Sequence, residues 1–229
     1  MKTEGAPLDA MILGDSHAIA LKAGCDLLGL NTAMLSLSGN FWHAKLIGLH
    51  QSRGLVAKGG AQGRVRAIKA KYGLDTIPQP GLPIIASFGF HLGRILPMFG
   101  ADGHRTAAAE FLADAQALFV SNALMSDYVD SFRRYHITLL RRIARQVPTV
   151  LVAPPWLTND GNAQAFAAEI LSRMQAGGLT TVDPCTALFG QGGTLPEALR
   201  EADGNHGTAE YGAQVITHLL NQGLFPGRG

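Results

Sequence analysis

Three observations predict an α/β fold, a mostly parallel sheet covered by helices on both faces. Short apolar runs alternate with helical stretches along the whole chain. The composition, 47% hydrophobic and 16% charged with mean hydropathy +0.13, belongs to a well-buried globular protein. A chain of 229 residues is long enough for one substantial core and short for two, so a single domain spanning residues 1–229 is expected.

The elements follow in order. The first strand is AMILG (10–14), and SHAIALKAGCDLLG after it has amphipathic helical spacing. AMLSLS (33–38) is the second strand and PIIASFG (83–89) the third. Helical spacing then covers RTAAAEFLADAQALFV (105–120) and the long ALMSDYVDSFRRYHITLLRRIARQV (123–147), in which Leu139, Leu140 and Ile143 form a core stripe. TVLVAPP (149–155) is the fourth strand, NAQAFAAEILSRMQAG a further helix, and TTVDPC (180–185) the fifth strand. TAEYGAQVITHLLNQG closes the chain as a helix with Thr208 as its N-cap.

One region breaks the rhythm. From residue 27 to 74 there is no acidic residue, while Lys45, Arg53, Lys58, Arg64, Arg66, Lys69 and Lys71 accumulate among glycines. This locally basic segment reads as a solvated helix-and-loop insert, or as a flap or recognition surface for an anionic substrate or acyl carrier.

Several function classes are set aside. A net charge of +2 is too small to imply a nucleic-acid partner. Cys25 and Cys185 have no metal-ligand spacing and read as buried thiols, which signals neither a disulfide framework nor a zinc site. His43, His50, His104, His136 and His218 are scattered with no i, i+4 pair, so neither a metal nor another cofactor is expected. No stretch approaches membrane-spanning length and the N-terminus lacks the pattern of a secretory signal, so a cytoplasmic protein with no membrane partner is the expectation. The oligomeric state is not legible.

The chemistry gathers at two places. ILGDSHAIAL puts Ser16 just beyond a strand and at the start of a helix, where backbone N–H groups favour developing negative charge and where open α/β sheets bind ligands. A serine there is equally an ordinary N-cap unless a base meets it. Near the C-terminus EADGNHGTAEYG supplies Asp203 and His206, three residues apart in a Gly-Asn loop. On such a loop the Asp203 carboxylate can reach Nδ1–H of His206 and leave Nε2 free to take a proton from Ser16.

Taken together, GDSH after the first strand and DGNH before the last helix resemble the SGNH/GDSL hydrolase family. The resemblance runs in order over nearly the whole chain, though only these two motifs are sharp. It implies a flavodoxin-like, three-layer α/β/α sandwich with a five-stranded parallel sheet, and a Ser16, His206, Asp203 triad. SLSGNFW places Gly39 where the family has an oxyanion-hole glycine, acting beside the N–H of Ser16. Where the family shows Gly-x-Asn after the third strand, this chain reads FGFHLG, so His91 stands in place of Asn. His91 can donate through a ring N–H, or Asn40 can turn inward. Asp15 is expected to bond loop amides and shape the turn at the pocket, His17 to cover the helix start or line the pocket, and Trp156 to flank the substrate or simply to pack.

The activity implied is hydrolysis of an ester, an O-acetyl or short-acyl group on a carbohydrate or small metabolite. An O-acyltransferase for glycan modification and a non-catalytic SGNH-like binding module are the alternatives.

Overall fold

The computed structural model describes residues 7–90, 104–106, 112, 118–158 and 161–225. Its centre is one parallel sheet of five strands. In chain order the described elements are β1 (Ala10–Gly14), α1 (Ala18–Leu27), β2 (Thr32–Ser36), α2 (Gly39–His43), the hairpin β3 (Ile47–His50) and β4 (Gly54–Ala57), α3 (Gly60–Tyr72) and β5 (Ile84–Ser87). Then come the short β6 (His104–Arg105) and β7 (Leu118–Phe119), α4 (Asn122–Ala144), β8 (Thr149–Val152), α5 (Gly161–Ala176), β9 (Thr180–Val182), α6 (Pro184–Phe189) and α7 (Ala209–Asn221).

The sheet order is β2-β1-β5-β8-β9, all pairs parallel. Counting only sheet strands this is the 2-1-3-4-5 order of flavodoxin-like folds, and it puts the topological switch point between the ends of β1 and β5. The expected five-stranded α/β/α sandwich is therefore the architecture observed. Because β1 is buried along its length, its side chains divide by parity. Met11 and Leu13 face the layer containing α4 and α5, whereas Ala10 and Ile12 face α1 and α7. Each fully buried Leu or Ile contributes about 1.5–3 kcal/mol, which fixes the register of β1.

On the second face α1 and α7 lie unusually close. A Cβ on Gly24 would fall 2.1 Å from the Gly212 carbonyl carbon, and one on Gly212 would fall 1.8 Å from Ala20 O, so neither position accepts a side chain. The loop at residues 203–207 enters α7 and the Asp15–His17 turn enters α1. Helix contact thus sets the spacing of the two motif-bearing segments.

Three departures from the sequence reading concern details. The run 105–120 is not helical at its ends: Arg105 pairs with Phe119, and His104 with Leu118, in a two-stranded parallel ladder, while 107–111 and 113–117 lie outside the described residues. The basic insert holds an antiparallel hairpin as well as a helix, and it is not merely a solvated surface. Leu49 and Leu55 of that hairpin, with Trp42 and Val65, are buried in the core. Finally, the buried face of α4 includes Arg133 and His136 beside the expected Leu139, Leu140 and Ile143. Burial pushes the His136 imidazole down to about 3, helped by the neighbouring Arg133 charge, so this histidine is neutral at physiological pH.

Candidate active site

The turn that carries Ser16 is built from the sheet outward. Gly14 ends β1 against β5, where an added Cβ would meet Ala18 Cβ at 2.5 Å and Ser87 O at 2.6 Å. With that approach the Asp15 amide donates to Ser87 O (3.0 Å), and the Asp15 carbonyl accepts from Ala18 N (3.2 Å) and from Ser36 Oγ (3.0 Å). Leu37 N and the Trp42 indole both donate to Gly14 O, at 2.9 and 3.3 Å. The turn is held by backbone from both flanking strands, and Ser16 at its apex is exposed.

Asp15 points inward and is 7% exposed, with its Oδ1 accepting from His17 N at 3.1 Å. Desolvation raises its carboxyl to about 6, opposed by the backbone N–H bonds and by the nearby His206. His17 occupies the N-cap position of α1 without a side-chain cap bond.

The other motif is self-contained. Asp203 Oδ2 and His206 Nδ1 are 2.6 Å apart, and Asp203 Oδ1 accepts from the amides of Asn205 (2.8 Å) and His206 (3.2 Å). The Asn205 amide, then the His206 ring, hold this fully exposed carboxyl below the usual carboxylate range. The loop is tied at its base. Glu201 N donates to His206 O, Thr208 N donates to Leu199 O, and Thr208 Oγ1 caps α7 by accepting from Tyr211 N.

The two motifs meet at the rings of His17 and His206, whose centroids are 5.1 Å apart at a tilt of 46°. His206 Nε2 makes no hydrogen bond among the described residues, and none joins it to Ser16 Oγ. The backbone N–H groups of Ser16 and Gly39 likewise donate to nothing among the described residues. Gly39 is the first residue of α2, and Asn40 is the second. His91 lies outside the described residues.

A crevice of about 210 Å³ opens at the strand ends. Asp15, Ser16 and His17 form one wall, Ser87 and Phe90 the floor beyond β5, and Pro154 to Leu157 the wall beyond β8. Trp156 is in this wall, and the reason for its fixed position was not visible in the sequence. Its indole N–H donates to Asp183 Oδ2 (3.1 Å), its amide to Cys185 Sγ (3.1 Å), and its carbonyl accepts from Leu195 N (2.7 Å). Asp183 also caps α6, so one carboxylate anchors both a helix and a pocket wall. Burial pushes the Cys185 thiol up to about 11, which leaves it a structural group. Ser87, Phe90 and Asp183 were not singled out from sequence. The signal that finds them is their place at or just past the carboxyl ends of the third and fifth sheet strands.

Among the described residues no cluster of His, Cys, Asp or Glu has the arrangement to hold a metal, and no helix is long and apolar enough to cross a membrane. No family model matches the sequence, and no curated protein does. Solved structures similar in fold include an acetylxylan esterase from Geobacillus stearothermophilus, at 13% identity and TM-score 0.46 over 98% of this chain and 99% of that one. An alpha/beta hydrolase enzyme from the metagenome of Lake Arreo, Spain, aligns at 13% identity and TM-score 0.47 over 97% and 98% of the two chains. A GDSL-like lipase from Bacteroides thetaiotaomicron aligns at 12% identity and TM-score 0.42 over 94% and 86%.

Proposed function

We propose that this chain is an SGNH/GDSL-type serine hydrolase that cleaves a short-acyl ester through an acyl-enzyme on Ser16. The observation that carries the reading is the 2.6 Å contact of Asp203 with His206 in a loop whose imidazole packs on His17, the residue after Ser16. In the reaction His206 Nε2 takes the Ser16 Oγ proton as the oxygen attacks the ester carbonyl, while Asp203 holds the Nδ1–H tautomer and stabilises the imidazolium. The tetrahedral oxyanion takes the unengaged N–H groups of Ser16 and Gly39, with His91 as the third donor in the place of the family's Asn. The alcohol leaves with the proton from His206. Water, deprotonated by the same imidazole, then releases the acid and frees Ser16.

The crevice volume supports a small acyl group. At about 210 Å³ it is below the roughly 300–1,000 Å³ usual for drug-sized ligands, and an acetyl fits where a long acyl chain does not. The alcohol is a carbohydrate or small metabolite that extends out of the crevice past Trp156.

The test is covalent labelling by a fluorophosphonate, with hydrolysis of p-nitrophenyl acetate followed in parallel. Wild type is expected to label, and Ser16→Ala to lose both the label and at least about 10⁴-fold of its turnover with an unchanged circular dichroism spectrum. A folded wild type that neither labels nor hydrolyses overturns the reading in favour of a non-catalytic binding module. Acyl transfer seen only with a sugar acceptor would redirect it to a transferase.

A further inference from the structure

Charge is distributed very unevenly over this molecule. Seven of the nineteen lysines and arginines fall between residues 27 and 74 and none of the seventeen acidic residues does, so this stretch carries +7 and the rest of the chain −5. Among the described residues none of these seven cations has an acidic partner. The salt bridges of Lys22 with Asp26, of Arg173 with Glu169 and Asp130, and of His206 with Asp203 all lie elsewhere. An unpaired set of like charges repels itself and is relieved by a counter-charge from outside.

The arrangement says where that counter-charge belongs. Most of the set lies on α3, which is polar on all but its inner face, with Ala61 and Val65 buried. Arg64 of this helix reaches back to the sheet, where its Nη1 donates to Ser36 O at 3.2 Å. Ser36 ends β2, and its own hydroxyl donates to Asp15 O in the turn that carries Ser16. Two hydrogen bonds therefore connect the basic helix to the nucleophile turn, and the guanidinium keeps its remaining donors for a ligand. On the far side of the crevice, by contrast, Trp156, Pro154 and Pro155 offer no charge.

Resting on the hydrolase reading above, we propose that the ester cleaved at Ser16 is borne on an anion, and that Arg64 with the basic face of α3 binds its carboxylate or phosphate groups. The substrate class is then an acylated acidic oligosaccharide or sugar phosphate, with the acyl group in the crevice and the negative charge toward the edge of the sheet at β2. Arg64 matches either anion through paired N–H donors, and Arg66, Lys69 and Lys71 extend the field along a chain of charges.

The test compares kcat/KM on an O-acetylated oligogalacturonide, an O-acetylated sugar phosphate and a neutral O-acetylated xylooligosaccharide. Wild type is expected to prefer one of the acidic esters at least tenfold at low salt, and which one it prefers separates carboxylate from phosphate. Arg64→Gln is expected to reduce the acidic-to-neutral ratio about tenfold, Arg64→Lys to restore part of it, and 0.5 M NaCl to erase most of it. Equal activity on acidic and neutral esters, or a ratio unmoved by Arg64→Gln, overturns the proposal while leaving the hydrolase intact. Should no ester be cleaved, binding of the deacetylated oligogalacturonide and of inorganic phosphate is measured on wild type and Arg64→Gln. Binding weakened severalfold by the substitution sustains the anion site, and no binding of either anion by wild type ends it. Adsorption to anionic phospholipid vesicles without any acidic-ester preference also counts against it, because the charge would then serve a surface and not the crevice.

Discussion

The two segments that meet at the candidate site are built on opposite principles. The Gly14–His17 turn is a product of the core: it is bonded to β2 and β5 through backbone groups and leaves no space for a Cβ at Gly14. The Asp203–His206 loop is exposed at its tip, and its geometry comes from its own short-range bonds, with one carboxylate serving two amides and a ring nitrogen. A serine placed by the core cannot shift without unfolding something. An imidazole placed by a loop adjusts, and its reach depends on how α7 docks against α1. The contrast says that damage to the backbone packing of the first segment registers as stability, and damage to the second as activity.

The sharpest test of that division is Asp203→Asn. The residue is exposed, so the unfolding midpoint should be nearly unchanged, while loss of the carboxylate that sets the tautomer and stabilises the imidazolium lowers kcat by about 10²–10⁴-fold. Urea unfolding beside steady-state kinetics on one preparation reads both, and a stability loss of several kcal/mol would show that the loop also supports the fold.

Gly212→Ala probes the connection between the segments. Its Cβ would sit 1.8 Å from Ala20 O, so α7 must move away from α1, costing about 1–3 kcal/mol and carrying the His206 loop with it. Activity is expected to fall further than stability alone explains when both are measured well below the melting temperature. Unchanged turnover in the folded variant would mean that His206 is positioned by its loop and not by the helix.

The effect with a defined pH window belongs to Asp15. Its folded carboxyl titrates near 6 against 3.8 for an unperturbed aspartate, so the folded state binds its proton more tightly than the unfolded state. Below about pH 4 both states are protonated and nothing is lost. Stability then falls as pH rises from about 4 through 6, by up to roughly 3 kcal/mol from this group. Asp15→Asn keeps an acceptor for His17 N and removes the charge. Its melting temperature is expected to match or trail wild type at pH 4 and to gain on it between pH 4 and 7. A constant difference across that range would show that burial does not set the Asp15 titration.

How far the sequence could be read follows from the range of the interactions involved. The five sheet strands were legible because strands covered on both faces must be apolar throughout, and all but the first merely end earlier than their expected runs, at Ser36, Ser87, Val152 and Val182. The Thr208 cap and the Asp203–His206 contact were legible because each spans three residues. The 105–120 run misled at its ends because a helical spacing of Ala and Leu does not reveal that Arg105 and Phe119 find each other as strand partners. The hairpin at 47–57 was missed because each of its strands is only four residues long, too short for alternation to stand out. Arg64, noted only as one of seven cations, gained a specific position from a bond to a carbonyl 28 residues away.

The sequence by itself determined the layered α/β architecture, the residue types available for acyl chemistry and the local pairing of a carboxylate with an imidazole, since these depend on patterning and on contacts a few residues apart. Only the tertiary structure decided that His206 rests on His17, that Asp183 pins Trp156 and that the basic helix is tied to the Ser16 turn. Those arrangements come from helix docking and strand order, where close approach of distant backbone segments is summed over the whole core and is written in no single stretch of the chain.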